Sequence, residues 1–302
     1  MDMSTSAAES LAINSTNGRL RPVRVPPWLR AGMRMASVIA PDTAVKLAHN
    51  LFFTPQRARV RDEERLILDR GEAFALGAAL GASLGKHSGR IAGRVWGEGP
   101  TVLLVHGWGG HAGQMTTLVA PAVAAGFRVV AVDLPGHGES AGRVSSLVHG
   151  ASALARVAAL FGPVRGLVAH SFGAAVSTYA MSNGLAVERA VFFAPPSRFE
   201  TFWQRFRMGV GVSDLVMERM LHRAEGWLNV RFAGISPVDL APRMETPLLV
   251  FHDPEDREMP FSEGAELAAT WPGAELRRAE HLGHLRILRD PGCVAEAVGF
   301  LG

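Results

Sequence analysis

The chain contains 302 residues, of which 48% are hydrophobic and 20% are charged, a composition typical of a globular protein with at least one sizeable core. Its formal net charge is +3. Residues 1–60 contain eight Lys and Arg but only three Asp and Glu, whereas the remaining residues contain 23 and 25 and are close to neutral. A nucleic-acid enzyme should carry its basic stripe on the folded domain, and this distribution therefore predicts no nucleic-acid partner.

The cellular compartment is indicated by the single cysteine, Cys293, and by the character of the N-terminus. One cysteine cannot form an internal disulfide, which fits a reducing environment. The first ten residues are polar and small, no apolar segment follows a basic start, and no stretch approaches the ~20 apolar residues of a membrane span. We therefore expect a cytoplasmic protein, and the sequence leaves its oligomeric state open.

Residues 1–60 are predicted to form a basic N-terminal arm that includes helices. Residues 1–26 are rich in Ser, Thr, Asn, Arg and Pro and favour disorder. A first helix is predicted over 28–40, ended by Pro41, and Asp42 can cap a second helix. The helix pair either packs on the outside of the domain or, with Arg beside Trp, anchors the chain at a membrane surface. We favour packing, because helices of soluble proteins are usually amphipathic too.

Residues 61–302 are predicted to form an α/β domain with a mostly parallel central sheet flanked by helices. Apolar runs alternate with small-residue stretches, such as 151–161 and 174–181, that suit crossover helices. The runs are apolar on both faces, as buried parallel strands are. They cover residues 101–105, 128–132, 164–169, 190–193 and 248–251. Residues 197–240 interrupt the alternation with Phe, Trp, Met and Arg and are predicted to be a small helical cap insertion.

A candidate nucleophile, Ser171, stands between an apolar strand and a small-residue helix. Residues 169–173 follow the pattern small-x-Ser-x-Gly, which is that of a nucleophile elbow. A serine on such a sharp turn needs small residues two positions before and two positions after it, and Ala169 stands where glycine is usual. The competing interpretation is an ordinary turn capped by Ser171. The strand before it and the helix after it favour the elbow.

A glycine-rich turn follows the predicted strand over 101–105. Acyl transfer needs backbone N–H groups directed at the developing oxyanion, and the turn over residues 106–110 can present such a donor. We predict the N–H groups of Trp108 and Phe172 as the pair. The turn lacks the Lys of a phosphate-binding loop and the spacing of a dinucleotide fingerprint. No Cys, His and Asp cluster has metal-ligand spacing, so we expect neither a cofactor nor a metal.

A serine nucleophile needs a base, and the base needs an acid that orients it. His284 follows the last strand-like segment, where a loop can bring an imidazole over the edge of the sheet, and His281 competes with it. The acid should follow the predicted strand over 248–251. Four acids lie in that turn, of which Asp256 fits best and Asp253 is the alternative.

With these motifs, residues 90–302 resemble the α/β-hydrolase superfamily. Residues 106–109 are similar to its oxyanion loop, and residues 132–140 are similar to its Asp-x-Pro-Gly-His-Gly-x-Ser turn. The turn is chiefly structural in the superfamily, so Asp133 and His137 are not catalytic candidates. The resemblance implies the fold of a parallel sheet between helices, and it implies a site at the carboxyl ends of the strands.

The resemblance also implies roles for the candidate residues. The order Ser171, Asp256 and His284 along the chain is the order of the superfamily, and the Gly before His284 favours it over His281. Ser171 would attack an ester carbonyl, His284 would take its proton and Asp256 would hold the imidazole. No cofactor or metal is required for such a reaction.

The substrate is predicted from the cap, because a segment inserted after the sixth strand often covers the pocket in this superfamily. Within residues 197–240 we predict Trp203 and Phe206 as walls of an apolar acyl pocket, and His170, beside the nucleophile, as a third substrate contact. The predicted substrates are carboxylic esters with small or medium hydrophobic acyl chains.

Other activities share the same three residues and stay open at this point. Acyltransferases, thioesterases, C–C bond hydrolases and cofactor-free perhydrolases keep them, and a ligand receptor on a hydrolase scaffold can retain them as well. Dehalogenases and epoxide hydrolases of this fold carry Asp at the nucleophile position, so Ser171 argues against both.

Overall fold

The computed structural model describes residues 22–77 and 89–302, and the strands of these residues form one eight-stranded sheet. The strands lie in the order β1-β2-β4-β3-β5-β6-β7-β8. The strands β1 and β2 pair antiparallel, as do β2 and β4, and all other neighbours are parallel. Their bounds are Glu72–Leu76, Ile91–Trp96, Thr101–Val105, Arg128–Val132, Val164–His170, Val187–Phe193, Leu248–His252 and Glu275–Arg278. The predicted mostly parallel α/β sheet is therefore confirmed.

Helices flank this sheet and fill the connections between its strands. In chain order, α1 to α6 are Pro27–Ile39, Pro41–Phe53, Asp62–Leu68, Val119–Ala124, Leu147–Phe161 and Phe172–Ser182. The helices α7 to α12 are Glu200–Val210, Asp214–Leu228, Pro237–Leu240, Phe261–Thr270, Gly283–Arg286 and Pro291–Leu301. Short 3₁₀ turns cover Ala112–Leu118, Ala241–Arg243 and Ile287–Arg289. Within the described part of the chain, no helix combines the length and the apolar character needed to cross a bilayer.

The core lies on both faces of the sheet, which explains why the central strands read as continuous apolar runs. In β3, Leu103 and Val105 pack into one buried cluster, whereas Val102 and Leu104 pack into the cluster on the opposite face. Side chains alternate between the faces of a strand, so a strand covered by helices on both sides needs apolar residues at every position. The sheet is thus buried in the middle and presents its functional loops at the carboxyl ends of the parallel strands.

Two strands were missed by the sequence analysis, β1 and β2. Both lie at the antiparallel side of the sheet, where β1 is the edge strand. Most residues of β1 are exposed or half-buried, and Glu72 opens it, so it lacks the apolar run that marks a buried strand. Strand β6 also begins earlier than the prediction, at Val187, because the polar Glu188 and Arg189 lie on its outer part.

The N-terminal helix pair packs against the inserted helices α7 and α8. Met33 of α1 is buried together with Phe206 of α7 and Met220 of α8, and helix α2 lies along α8. The backbone N–H of Val23 donates to the carbonyl of Arg205 at 3.1 Å, which fixes the segment before α1 across α7. The helix pair thus packs chiefly on the cap, and the end of α2 also contacts the sheet-bearing body, where the N–H of Ser145 donates to the carbonyl of Phe53 at 2.8 Å.

Two details of the N-terminal prediction need correction. Asp42 lies in the first turn of α2 and does not cap it, because Pro41 begins the helix and Ala40 occupies the cap position. Residues 22–26 of the predicted disordered arm form an ordered extended segment before α1. The remainder of that prediction, residues 1–21, lies outside the described residues.

The burial of Met33 gives a test of this packing. Met33→Ala should lower the free energy of unfolding by about 2–4 kcal/mol, because it leaves a cavity between α1 and the cap. Met35→Ala, on the same helix but 62% exposed, should change it by less than about 0.5 kcal/mol. Urea unfolding of both variants decides the point, and equal stabilities would contradict the packing of α1 on α7 and α8.

Candidate active site

The turn between β5 and α6 holds Ser171 in a strained backbone conformation. Its φ is 49° and its ψ is −119°, a region that L-residues rarely occupy. Its N–H donates to the carbonyl of Phe193 on the neighbouring strand at 2.9 Å. A Cβ at Gly173 would lie 2.5 Å from the carbonyl oxygen of His106, so only glycine fits two residues after the serine. This turn places Ser171 at the carboxyl end of the central strands.

The turn after β3 lies directly against Ser171. A Cβ on Gly107 would approach Cβ of Ser171 to 3.3 Å, which measures how closely the two turns pack. Within the described residues, the backbone N–H groups of Trp108 and Phe172 donate no hydrogen bond to the protein. Their rings meet edge to face at 5.0 Å between centroids. Two free backbone donors therefore flank Ser171, at the positions predicted from sequence.

His106, which the sequence analysis did not single out, fixes the turn that carries Trp108. Its Nδ1–H donates to the carbonyl of Gly107 at 2.7 Å, and its Nε2 accepts from the N–H of Leu134 at 3.0 Å. The residue is fully buried, and burial lowers the pKa of His106 to about 4, so the ring is neutral as both hydrogen bonds require. The sequence signal that could have identified His106 is its position as a polar residue directly after a buried strand.

The Asp-Leu-Pro-Gly-His-Gly-Glu-Ser turn, residues 133–140, packs against the loop after β3, which carries Trp108. The carboxylate of Asp133 accepts the N–H of Ala112 at 2.7 Å and that of Glu139 at 2.8 Å. The ring of His137 is buried and meets the ring of Trp108 edge to face at 5.4 Å. These bonds occupy both carboxylate oxygens of Asp133, so the residue ties two loops together.

The loops after β7 and β8 bring His284 and Asp256 into contact. His284 Nδ1 and Asp256 Oδ2 are 2.7 Å apart, and because a carboxylate can only accept, Nδ1 carries the proton. The other oxygen of Asp256 accepts the N–H groups of Glu258 at 2.7 Å and Met259 at 3.0 Å. Burial alone would raise the pKa of Asp256, but the hydrogen bonds from His284 and the two backbone groups outweigh it and hold that pKa below its usual value.

The competing candidates in these loops have other contacts. Asp253 is buried, and its carboxylate accepts the N–H of Glu255 at 2.7 Å and, through its second oxygen, the N–H of Gly283. His281 is 77% exposed and lies 3.3 Å from a carboxylate oxygen of Glu255 at the surface. The structure thus pairs His284 with Asp256, and Asp253 holds the loop that carries His284.

His170 does not lie where the sequence analysis expected it. It is buried behind the candidate site and is absent from the wall of the apolar cavity described below. Its Nε2–H donates to the backbone carbonyl of His284 at 2.9 Å, and the two rings are 4.7 Å apart between centroids. Burial lowers the pKa of His170 to about 3, so it is neutral. Strand β5 therefore ends with this side chain directed at the loop of His284, and its role as a substrate contact stays a prediction.

An apolar cavity of about 370 Å³ opens beside Trp108 and Phe172. Both predicted wall residues of the cap, Trp203 and Phe206, line it. Part of the wall comes from the N-terminal region and was not predicted; it comprises Val23, Val25, Leu51, Phe52 and Phe53. Contacts between helices distant in sequence leave no local pattern, although two adjacent phenylalanines at the end of α2 were a weak sign.

A second cleft, of about 530 Å³, lies over the acid and base loops. Its walls include Asp256, Glu258, His281, His284 and Arg286, and it is much more polar than the first. His284 thus lines a polar cleft, whereas Trp108 and Phe172 line the apolar cavity. Among the described residues, no group of three or more His, Cys, Asp or Glu is arranged to hold a metal ion.

Comparisons with known proteins agree with this architecture. The alpha/beta hydrolase family profile matches residues 102–297. A segment of 44 residues is 52% identical to a pimeloyl-[acyl-carrier protein] methyl ester esterase of Methylococcus capsulatus, covering 15% of this chain and 17% of the length of that relative. The chain therefore matches about a sixth of that curated protein.

Solved structures with the same fold are distant in sequence. A bromoperoxidase of Bacillus anthracis has a TM-score of 0.59 at 18% identity, covering 76% of this chain and 99% of that one. The esterase EaEST of Exiguobacterium antarcticum has a TM-score of 0.57 at 16% identity, covering 75% and 98%. A bacterial membrane phospholipase A has a TM-score of 0.59 at 19% identity, covering 91% and 95%. At these identities the likeness shows the fold.

Proposed function

The chain belongs to the alpha/beta hydrolase family, and from this premise we propose that it is a serine hydrolase that cleaves carboxylic esters through an acyl-enzyme on Ser171. The observation that carries the proposal is the pair of His284 and Asp256, with 2.7 Å between Nδ1 and Oδ2. The loop of His284 contacts the residue before Ser171, because His170 donates to the carbonyl of His284 at 2.9 Å. A histidine held by a buried carboxylate beside a strained serine is the arrangement that activates a hydroxyl as a nucleophile.

The proposed reaction begins at the hydroxyl of Ser171. That hydroxyl makes no hydrogen bond within the described residues, so it is available to attack a bound carbonyl while His284 Nε2 takes its proton. Nucleophile–base contacts are often loose before substrate binds and tighten in the complex. The negative oxygen that forms on the carbonyl would accept hydrogen bonds from the free N–H groups of Trp108 and Phe172.

The acyl-enzyme would then form and break down with a balanced transfer of protons. His284 returns the proton to the departing alkoxide, which leaves as an alcohol, and the acyl group stays on Ser171. Water enters, gives a proton to His284 and attacks the acyl carbonyl, releasing the carboxylic acid and restoring the serine. Asp256 stays ionised throughout, because the pKa of its carboxyl lies below the usual value, and it stabilises the imidazolium formed in each step.

The proposed substrates are esters with apolar acyl chains. Trp108 and Phe172 supply the proposed oxyanion donors and also line the apolar cavity, so a carbonyl bound between them would direct one substituent into it. The segment that matches the pimeloyl-[acyl-carrier protein] methyl ester esterase of Methylococcus capsulatus adds support for ester hydrolysis. A panel of p-nitrophenyl esters from acetyl to palmitoyl tests the proposal, and no turnover of any member would contradict it.

The size of the cavity predicts a limited chain-length range. Each buried CH₂ contributes roughly 0.8 kcal/mol while the chain still fits. The value of kcat/KM should therefore rise from acetyl to about butyryl or hexanoyl and then fall as the cavity of about 370 Å³ fills. A profile that continues to rise to palmitoyl would instead indicate an open, lipase-like groove.

Trp203 tests the same cavity by mutation. Trp203→Ala should shift the optimum to longer acyl chains, because the half-buried indole is part of the cavity wall and its loss lengthens the space. Gln204→Ala, exposed on the same helix and outside the wall, should leave the profile unchanged. Phe206→Ala should lower the free energy of unfolding, because Phe206 packs on Phe52 with ring centroids 5.0 Å apart. An unchanged optimum in Trp203→Ala would contradict the proposed acyl site.

A further inference from the structure

One face of helix α1 is apolar and exposed to solvent. Its exposed large side chains include Trp28 at 74% and Val38 at 83%. With 100° between successive residues of a helix, they fall on one arc, and Met33 lies on the opposite, buried arc. The exposed arc, called the α1 face below, is formed by Trp28, Met35, Val38 and Ile39. A surface helix normally carries polar residues there, and packing among the described residues does not account for the apolar character of this face.

The α1 face is bordered by uncompensated positive charge. Arg30 and Arg34 follow the face around the helix, and Lys46 is exposed on α2. Within the described residues none of these three forms an ion pair. The acidic residue of the helix pair, Asp42, is engaged by Arg219 of α8 at 3.1 Å. Apolar side chains with Trp among them, flanked by Arg and Lys, are the composition of helices that lie in the interface of an anionic membrane.

The mouth of the apolar cavity lies beside these helices. Val23, Leu51 and Trp108 line the cavity and are also exposed to solvent, so they form its rim. Val23 precedes α1 by four residues, and Leu51 lies in the last turn of α2. Leu47, one turn before Leu51, is exposed as well and extends the apolar surface from the rim along α2. The exposed apolar surface is thus continuous from α2 into the cavity.

We propose that the α1 face docks on an anionic lipid surface. The apolar side chains enter the headgroup region, and Arg30, Arg34 and Lys46 contact lipid phosphates. Docking places the rim of the cavity at the membrane, where an acyl chain can pass from the bilayer into the cavity. The docking step stands by itself, whereas the use of membrane lipid esters as substrates rests on the proposed esterase function.

The test measures sedimentation of the full chain with vesicles at low salt. Vesicles of phosphatidylcholine with about 30% phosphatidylglycerol should bind the protein, and vesicles of phosphatidylcholine alone should bind it far less. Val38→Ser/Ile39→Ser should weaken binding about tenfold or more, because it removes exposed apolar groups that enter the interface. Arg30→Gln/Arg34→Gln should weaken binding about fivefold for each arginine, an effect that disappears at high salt.

A control variant removes two exposed apolar side chains elsewhere. Leu66→Ser/Leu160→Ser, on α3 and α5, should bind vesicles as the wild type does. Equal vesicle binding by the Val38/Ile39 variant and the wild type, or no binding by the wild type, would overturn the proposal. Binding to neutral vesicles as strong as to anionic ones would overturn it too. Self-association in light scattering that the Val38/Ile39 variant abolishes, without vesicle binding, would assign the face to a second copy of the chain instead.

Hydrolysis of p-nitrophenyl butyrate separates this proposal from the proposed function. The Val38/Ile39 variant should turn over this soluble ester at the wild-type rate, because neither residue lines the cavity. With long-chain esters dispersed in anionic vesicles, the variant should be slower than the wild type by about the loss in binding. If neither protein hydrolyses any ester, the proposed function fails, and the vesicle measurement still decides whether the α1 face docks.

Discussion

Ser171→Ala is expected to lower kcat/KM for ester hydrolysis by about 10³–10⁶-fold and to abolish labelling by a fluorophosphonate. The serine is the proposed site of the covalent intermediate, so removing its oxygen leaves only binding and the oxyanion donors to assist water. The magnitude is large because nucleophile, base and acid act as a unit, and losing one member removes most of what the others contribute.

Ser182→Ala provides a matched control for this loss. Ser182 lies on the same helix, α6, but is exposed, and its hydroxyl donates to the carbonyl of Tyr179 at 2.8 Å. Its replacement should keep both labelling and turnover. Retention of ester turnover within about tenfold of the wild type by a folded Ser171→Ala protein would contradict the role assigned to Ser171.

Asp256→Asn is expected to lower kcat by about 10⁴-fold, whereas Asp253→Asn should lower it by about tenfold or less. Asp256 accepts the Nδ1–H of His284, and an amide there no longer stabilises the imidazolium formed during the reaction. Asp253 accepts backbone N–H groups only, and the remaining oxygen of an amide can keep one of these bonds. Its loss should act on the position of the loop that carries His284.

The two histidines of the same loop give the parallel comparison. His284→Ala should be nearly as damaging as Ser171→Ala, while His281→Ala, at an exposed position beside Glu255, should leave kcat within about twofold. Single-turnover kinetics on p-nitrophenyl butyrate, with circular dichroism to verify folding, measure all four variants. A larger loss in Asp253→Asn than in Asp256→Asn would move the acid three residues towards β7 and contradict the pairing observed here.

The central strands were predictable because their physical signal is local. Strands β3, β4 and β7 are covered by helices on both sides, so four of the five residues in each are apolar and the run is visible in the sequence. The edge strand β1 is half in solvent and gives no such run. The serine turn was predictable for a similar reason, since the steric demand of a strained residue fixes a small residue at Gly173.

The sequence alone could not decide between titratable residues that lie close together in the chain, such as Asp253 and Asp256. Asp253 and Asp256 lie in one turn, and only the folding of that turn decides which carboxylate faces His284 and which faces Gly283. His170 was placed beside the substrate because it adjoins Ser171 in the chain. Neighbouring side chains of a strand point to opposite faces, and the end of β5 turns His170 towards the loop of His284.

The packing of the cap on the N-terminal helices was not predicted from the sequence. The insertion over 197–240 was recognisable by its position between β6 and β7, but its partnership with α1 and α2 spans more than 150 residues of chain. The apolar face of an amphipathic helix indicates that the helix packs against a partner, but it does not identify that partner. The apolar faces of both segments were therefore predictable, but the sequence does not indicate that they bury one another, as Met33 and Met220 do.

The most direct test of the acyl-enzyme is peptide mapping by mass spectrometry after a rapid acid quench of the protein with excess p-nitrophenyl butyrate. We expect one butyryl group per chain, on the peptide that contains Ser171, and its absence from the same peptide of Ser171→Ala. An adduct on another residue, such as Ser145 in the cavity wall or His284, would contradict the account. So would steady turnover with no covalent adduct at any quench time.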